Sequence, residues 1–375
     1  MTKSYYKLLI FLLFAVACKR PENPIEPEYR IPSSNFELLN NSYFKAVKPS
    51  VNFTSAETET FEAEFNEEVT WELILIGLNS GASKSFKGFS KKLDASNNLW
   101  NGNHEKFYFF KSNEKVLAKL TFFGSSLFFT DTIKIVNARI WDSPNHVIPV
   151  LDFETPALSF QFTFNDGPNL TAATLLSDMQ SIANNRIEQA LRDVNGDTIK
   201  GEPLGGLQGN KLYRMAGKDG VYTGPGSADY YIGGGGFSKT TPYSLSSNAN
   251  DVYFNIYIYG TGDPTSNFVI NFNEDDNNNG IIDAGNASEN YAPFEDQYTW
   301  VFPVDWKGWK LMSVKYNDLS PSADGLKAKY RNGVKNSDRI MAMAFVLLSS
   351  VKGEKASVIF DFAAFTIGKP FNSNE

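Results

Sequence analysis

The feature that most limits how this chain can fold is the position of its single cysteine. Cys18 is the only cysteine among 375 residues, and it follows a segment that begins with lysines and continues through the apolar run Leu8–Ala17. A basic start, a short apolar run and small residues before a cleavage point are the pattern of a secretory signal, and this run is too short to span a bilayer. Removal of residues 1–17 leaves no second cysteine for a disulfide, so the folded part depends on its hydrophobic core.

The residues around Cys18 resemble the lipobox of bacterial lipoproteins. Ala15, Val16 and Ala17 directly precede the cysteine. In that family the signal is cleaved before the cysteine, whose thiol and amine then carry acyl chains. Each buried CH₂ contributes about 0.8 kcal/mol, and anchoring becomes stable with more than one chain. The resemblance implies a lipid anchor at Cys18, and the alternative is an ordinary secreted protein.

Composition and charge narrow the class of protein and its partners. Aromatic residues make up 14% of the chain, and it contains 28 glycines. Abundant aromatic and glycine residues with few helical periodicities are typical of all-β sandwiches. The formal net charge is −7 without a basic cluster. An acidic chain repels phosphate backbones, so we expect no nucleic-acid partner.

Turn residues and apolar patterns divide the chain into a tether and two β units. Residues 18–45 hold four prolines among charged residues and are expected to form an extended tether. Residues 46–140 contain short alternating runs separated by turns, which predicts a β-sandwich. This unit resembles the immunoglobulin-like or PKD-like domains of bacterial surface proteins, with Trp71 in its core. Residues 148–375 form a second, larger unit, and apolar spacing predicts one helical insertion over Leu170–Val194.

The strand order of the second unit resembles the galactose-binding-like jelly-roll of many carbohydrate-binding modules. Val252–Tyr259 is an alternating strand, Trp309 lies in a Gly-Trp-Lys turn, and Val358–Ile367 is a closing strand that contains an aspartate. The resemblance implies a glycan-binding jelly-roll with Trp309 in the core. It also implies a structural calcium ion held by Glu154 and Asp361, whose alternative role is to end a strand through hydrogen bonds.

A second candidate calcium site is the segment from Asp275 to Asp283. It resembles an EF-hand loop, in which oxygen ligands alternate and a glycine, here Gly280, permits the sharp turn. Asn286 replaces the usual glutamate at the twelfth position, so a polar hairpin loop is the alternative. The candidate ligands are Asp275, Asn277, Asn279, the backbone carbonyl of Ile281, and Asp283.

Candidate sugar-binding residues lie mainly in a glycine-rich segment. Gly201–Gly236 is expected to be rich in loops, because glycines let the backbone bend sharply beside a ligand. An aromatic ring that stacks on a partner contributes about 1 kcal/mol beyond the area it buries. The candidates are Tyr222, Asp229, Tyr230, Tyr231 and Tyr291. A core position is the alternative for each of these rings.

The sequence contains no pattern typical of an enzyme. His104 and His146 are the only histidines, and both are predicted in surface turns. The chain has no zinc-ligand cluster and no Gly-x-Ser-x-Gly nucleophile motif. Its parts together resemble the surface glycan-binding lipoproteins of polysaccharide-utilisation systems in Bacteroidota-type bacteria. We therefore predict a non-catalytic outer-membrane lipoprotein that captures polysaccharide or oligosaccharide at the cell surface. The alternative is an adhesion or assembly subunit that binds other outer-membrane proteins.

Overall fold

The computed structural model describes residues 30–39, 43–141, 147–154, 161–164, 167–170, 186–188, 190–203, 205–218, 231–282, 295–322, 331–351 and 354–375. Nearly all regular structure in these ranges is β, which confirms the predicted all-β class. The α-helix within them is confined to Ala95–Asn98, and single 3₁₀ turns occupy Phe53–Ser55, Tyr316–Asp318 and Ser337–Arg339. No helix in these ranges is both long and apolar enough to cross a membrane.

The N-terminal unit is built from six strands around one core. They are β1 (Lys45–Ala46), β2 (Ser50–Asn52), β3 (Phe61–Gly77), β4 (Ser83–Leu93), β5 (Lys115–Phe122) and β6 (Phe128–Asn137). The order is β1-β3-β5-β6-β2, and β4 also pairs with β3. Alternate residues of β5 are buried, as the sequence pattern requires of a strand with one face on a core. Trp71 is buried in that core, as predicted.

The C-terminal unit is a sandwich of two sheets. The six-stranded sheet, called the domain-facing sheet below, contains β7 (Val147–Leu151), β10 (Arg186–Glu188), β11 (Leu212–Lys218), β13 (Val252–Thr261), β16 (Lys307–Lys315) and β19 (Lys355–Ile367). The seven-stranded sheet, called the outer sheet, contains β8 (Gln161–Phe164), β9 (Gly167–Leu170), β12 (Tyr231–Ser238), β14 (Ser266–Glu274), β15 (Gln297–Pro303), β17 (Ser320–Pro321) and β18 (Ile340–Ser349).

Strands of the C-terminal unit pass repeatedly from one sheet to the other. β11, β13, β16 and β19 lie in the domain-facing sheet, and β12, β14 and β18 lie in the outer sheet. This alternation of antiparallel strands is the connection pattern of a jelly-roll. Apolar side chains from both sheets fill the space between them, including Phe254 from β13 and Phe268 from β14.

Two stretches differ from the local structure that the sequence predicts. The described ends of the predicted helix Leu170–Val194 are extended: Leu170 ends β9, and Arg186–Glu188 pairs antiparallel with β11. Residues 171–185 lie outside the described ranges. Gly233–Gly236, predicted in a loop-rich region, lies inside β12 between β18 and β8. In both stretches, hydrogen bonds to neighbouring strands outweigh the local sequence preference.

The two units meet on the face of the domain-facing sheet that points away from the sandwich core. Phe109 and Trp141 pack there against Tyr257 and Phe362, and the Phe109 and Phe362 ring centroids are 5.1 Å apart. His104, predicted in a surface turn, is fully buried at this interface, with its ring centroid 4.1 Å from that of Phe109. The predicted surface position of His104 is wrong because residues of the C-terminal unit cover its side chain. A local turn pattern does not reveal contacts with a distant part of the chain.

Candidate functional site

The outer sheet has a face that points away from the core, and β14 shows which side chains lie on it. Phe268 and Phe272 of β14 point into the core. Because side chains alternate along a strand, the intervening Asn267, Asn271 and Asn273 lie on the opposite face. Val269 also lies on this face. Three amide side chains in one strand therefore line the outside of the sandwich.

On the side of β14 away from β15, the next two strands, β18 and β12, carry glycine and alanine over part of this face. Gly236 stands opposite Ala344 of β18, and Gly234 stands opposite Val346. Ala342 of β18 stands opposite Asn273 of β14. A floor of glycine and alanine beside a row of longer amide side chains makes a shallow depression in the sheet surface. We call this the glycine–alanine trough, and its floor residues are Gly234, Gly236, Ala342 and Ala344.

The wall of the glycine–alanine trough continues from β14 onto β15. Asn271 stands opposite Thr299, and Asn273 stands opposite Gln297. The Gln297 Nε2 donates a hydrogen bond to Asn273 Oδ1 at 2.7 Å, which orients both amides. The Thr299 Oγ1 is buried and has no hydrogen-bond partner within the described ranges. The wall therefore combines oriented amides with a hydroxyl that has unused capacity for hydrogen bonding.

Tyr231 is the one predicted sugar-binding residue that the structure describes. It is half-buried in β12. A Cβ atom built on Gly234 would lie 2.8 Å from the Tyr231 hydroxyl oxygen, so the phenol lies against the bare backbone at Gly234. Glycine at position 234 permits this close approach. Tyr222, Asp229, Tyr230 and Tyr291 lie outside the described residues, so their placement stays a prediction.

The described cross-strand rows of this face carry no charged side chain. From β15 to β12 the rows are Gln297–Asn273–Ala342–Ser238, Thr299–Asn271–Ala344–Gly236, Val301–Val269–Val346–Gly234 and Pro303–Asn267–Leu348–Tyr231. The amides and hydroxyls can donate and accept hydrogen bonds at the same time, and the tyrosine ring offers an apolar surface. The face is therefore chemically suited to a neutral ligand rich in hydroxyl groups.

The structure brings Glu154 and Asp361, predicted as calcium ligands, to the same loop, residues 205–211. Glu154 Oε1 accepts hydrogen bonds from the backbone N–H groups of Asn210 and Lys211, at 2.7 and 2.5 Å. Asp361 Oδ2 accepts one from the Leu207 N–H at 2.5 Å. Burial is the main cause that raises the pKa of Asp361 to about 7, and the charge of Glu154 adds to it. Two carboxylates therefore lie against the same loop, and that of Asp361 is fully buried.

The same loop shows whether a calcium ion suits Glu154 and Asp361. The Gln208 Oε1 is buried without a hydrogen-bond partner within the described ranges. Cβ atoms at Gly206 and Gly209 would lie 2.6 Å from Asp361 Oδ2 and 2.4 Å from the Glu154 carboxyl, so the loop backbone closes tightly on both acids. Oxygen ligands with two negative charges fit a hard cation. The alternative role, in which Glu154 and Asp361 end a strand through hydrogen bonds, accounts for the same contacts. Calcium at this position therefore stays a prediction.

The side-chain oxygens of the Asp275–Asp283 loop bind the loop's own backbone. Asp275 accepts hydrogen bonds from the N–H groups of Asn279 and Gly280, at 3.0 and 2.8 Å. Asn277 Oδ1 also accepts from the Asn279 N–H, and Asn279 Oδ1 accepts from the Ile281 N–H. Asp283 lies outside the described residues. These bonds match the alternative of a polar hairpin loop, and calcium at this ligand set stays a prediction.

Comparisons with known proteins add the following similarities. No protein-family model matches the sequence, and no curated protein sequence matches it significantly. A Family 11 Carbohydrate-Binding Module from Clostridium thermocellum, in complex with a β-1,3-1,4-mixed-linked tetrasaccharide, is similar at 11% identity and a TM-score of 0.34, over 60% of this chain and 98% of that chain. SGBP-B from a complex xyloglucan utilization locus in Bacteroides uniformis is similar at 11% identity and a TM-score of 0.31, over 83% and 68% of the two chains.

Proposed function

We propose that this protein binds a polysaccharide or oligosaccharide in the glycine–alanine trough without cleaving it. The observation that carries the proposal is the bare glycine and alanine floor beside the amide row of β14 and β15. A sugar ring can approach the floor closely at Gly236 and Ala344, because these two residues carry no side chain beyond a methyl group. The absence of charge on the described rows favours a neutral glycan.

Each group of the trough would have a defined part in binding. Asn271 and Asn273 would exchange hydrogen bonds with sugar hydroxyls, since an amide both donates and accepts. Thr299 would use its unpartnered hydroxyl in the same way. The ring of Tyr231 would pack against the C–H face of a sugar. Binding per site would be weak, and many copies on one surface would raise the avidity for a long chain.

A lipid on Cys18 would hold this binding unit at the outer surface of a bacterial outer membrane. The tether predicted for residues 18–45 would be shorter, because Phe36 and Phe44 pack on the core of the N-terminal unit. That unit would act as a spacer. A calcium ion held by Glu154, Asp361 and the side-chain oxygen of Gln208 would neutralise the two carboxylates and stabilise the loop against β19.

Affinity electrophoresis of the purified protein against a panel of neutral and acidic polysaccharides tests the proposal. We expect retardation by one class of neutral polysaccharide. Ala344→Trp should abolish it, because the large ring fills the floor of the trough from an outward-facing position of β18. Lys87→Ala, at an exposed position of β4 in the other unit, is the matched control and should bind as wild type does.

Two results would contradict glycan binding in the trough. Undiminished retardation of the Ala344→Trp variant would place the ligand elsewhere on the protein. An absence of retardation by every polysaccharide would favour the alternative of an adhesion or assembly subunit. In that case the Cys18-anchored protein should co-purify with another outer-membrane protein.

A further inference from the structure

A cluster of carboxylates lies at one end of the glycine–alanine trough, where β14 and β15 separate. Glu274 is the last residue of β14, and Asp296 directly precedes β15. The Glu274 N–H donates to the Asp296 carbonyl at 3.1 Å, which holds the two strand ends together. One carboxylate oxygen from each of Glu274, Asp276 and Asp296 lies within 4.8 Å of the other two. The end of the hairpin therefore concentrates three acids in one place.

One oxygen of this cluster is buried without a hydrogen bond of ordinary geometry. Glu274 is fully buried, and its Oε1 accepts a hydrogen bond from the Tyr316 hydroxyl at 2.7 Å. Its Oε2 is buried and has no hydrogen bond of ordinary geometry within the described ranges, and the backbone N–H of Asn336 is a further donor that acts on this carboxylate. A buried carboxylate oxygen without a partner destabilises the fold by several kcal/mol when the group is ionised. A positively charged ligand beside Glu274, or a proton on its carboxylate, would remove this destabilisation.

The other two carboxylates are held in place by neighbouring groups. Asp296 Oδ1 accepts from Arg331 Nε at 3.2 Å, and its Oδ2 accepts from the N–H groups of Asn332 and Gly333. Asp276 Oδ1 accepts from Asn332 Nδ2 at 2.7 Å, and its Oδ2 accepts from the Asp296 N–H at 2.5 Å. The acids are therefore positioned by the fold, and each carboxylate oxygen has further lone pairs to offer.

Among the described residues around the cluster, acidic side chains outnumber cationic ones. Residues 274–276 and 295–296 are five acids, and four of them are buried. The cationic groups near them are Arg331, Arg339 and Lys335.

We propose that Glu274, Asp276 and Asp296 bind one divalent cation, and that Ca²⁺ fits best. Ca²⁺ accepts carboxylate oxygens in irregular arrangements, whereas Mg²⁺ demands near-octahedral geometry and keeps several waters. This ligand set differs from the alternating residues of the Asp275–Asp283 loop, whose oxygens bind the loop backbone. It also lies on the outer sheet, away from Glu154.

Binding here would connect three segments that are distant in sequence. The ion would tie the end of β14, the start of β15 and the segment around Asn332, which already bonds to both Asp276 and Asp296. Asn273 and Gln297, the amides at this end of the trough, are the next residues along each strand. The cation would therefore fix the trough wall, although the cation site stands independently of the proposed glycan.

Tb³⁺ luminescence of the purified full chain provides the first test. Tb³⁺ occupies Ca²⁺ sites and is excited through nearby aromatic rings. Tyr316 is bonded to Glu274, and the Tyr298 ring centroid lies 6.0 Å from that of Tyr316. We expect sensitised emission that Ca²⁺ displaces. Glu274→Gln and Asp276→Asn, which keep the side-chain shape, should each weaken Tb³⁺ binding at least tenfold.

Equilibrium dialysis with Ca²⁺ alone counts the ions and separates the candidate sites. The two variants should bind one Ca²⁺ fewer than wild type, while Asp361→Asn should retain the sensitised emission. Asp276 is only half-buried, so its variant should fold even if Glu274→Gln does not. Emission or ion count unchanged in folded Asp276→Asn would overturn the proposal, and so would a wild-type protein that binds no ion. Because no glycan is present, neither result depends on the proposed function.

Discussion

The two outward faces of the C-terminal sandwich follow the same alternation but carry different kinds of side chain. On the domain-facing sheet, Tyr257, Trp309 and Phe362 point away from the core and are covered, together with Phe109 and Trp141. On the outer sheet, the equivalent positions from β15 to β12 hold mainly asparagine, alanine, glycine and valine, and Tyr231 is the single aromatic residue in these rows. Large aromatic side chains make a face that must be buried, and small or amide side chains make a face that can remain available to a ligand.

The two faces should therefore affect different properties of the protein. An aromatic side chain buries roughly 150–250 Å², so the covered face contributes strongly to the free energy of unfolding. The glycine–alanine trough has little apolar area to bury and contributes little. Substitutions on the covered face should therefore change stability, and substitutions in the trough should change affinity.

The largest effect is expected at the covered face. Phe109→Ala should lower the free energy of unfolding by about 3–5 kcal/mol, because it removes a buried ring that contacts both units. Val301→Ala, at an exposed position of the outer sheet, is the control and should stay within about 0.5 kcal/mol of wild type. Denaturant unfolding measures both. A loss below 1 kcal/mol for Phe109→Ala would show that the two units are only loosely joined.

The interface should also make stability depend on pH. Burial lowers the pKa of His104 to about 3 from an unfolded value of 6.5. Between these values the unfolded chain binds a proton that the folded chain does not. The stability that His104 contributes is therefore complete above pH 6.5 and falls by about 1.4 kcal/mol per pH unit down to about pH 3. His104→Phe should reduce this slope in unfolding measurements from pH 7 to 4, and an identical slope would disprove the assignment.

A smaller effect is expected from the amide wall of the trough. Asn271→Ala should weaken binding of the polysaccharide identified by electrophoresis about five- to tenfold, the worth of one hydrogen bond of about 1–1.5 kcal/mol. Its free energy of unfolding should change by less than about 0.5 kcal/mol. Calorimetric titration and denaturant unfolding measure the two quantities. Unchanged affinity together with lower stability would show that this face is structural.

The smallest effect is expected where Tyr231 lies against Gly234. Gly234→Ala should displace the phenol, because the new methyl group would lie 2.8 Å from its oxygen. Affinity should fall by about two- to fivefold, a fraction of the approximately 1 kcal/mol of one aromatic contact. In a double-mutant cycle with Tyr231→Ala the two effects should not add, since both act on the same ring. Fully additive effects would show that Gly234 and Tyr231 affect binding independently of each other.

Local pattern was a good guide where one strand interacts with one core. The alternation of Val252–Tyr259 predicts β13, which spans Val252–Thr261, and Trp71 is buried in the core of its unit as expected. Trp309, expected in the jelly-roll core, is buried instead on the opposite face of its sheet, in the cluster where the two units meet. The pattern was a poor guide for Gly233–Gly236. Glycine has low intrinsic strand preference, and only the hydrogen bonds to β8 and β18 hold this segment extended.

The candidate site depends still more on distant contacts. The sequence shows Tyr231 as an aromatic residue near glycines, but its cross-strand neighbours Leu348 and Asn267 come from other strands, and no short-range signal links them. Likewise, the sequence predicts a calcium loop from the spacing of Asp275 and Asn277, whereas the structure concentrates Glu274, Asp276 and Asp296.

The sequence by itself determined the all-β class and the position of strands such as β5 and β13, because burial of an alternating apolar face is a local property of each strand. Only the tertiary structure decided which outward face is covered and which holds the glycine–alanine trough. That choice depends on strand order and on contacts between units, such as Phe109 with Phe362. It therefore belongs to the assembled sheets rather than to any single segment of the chain.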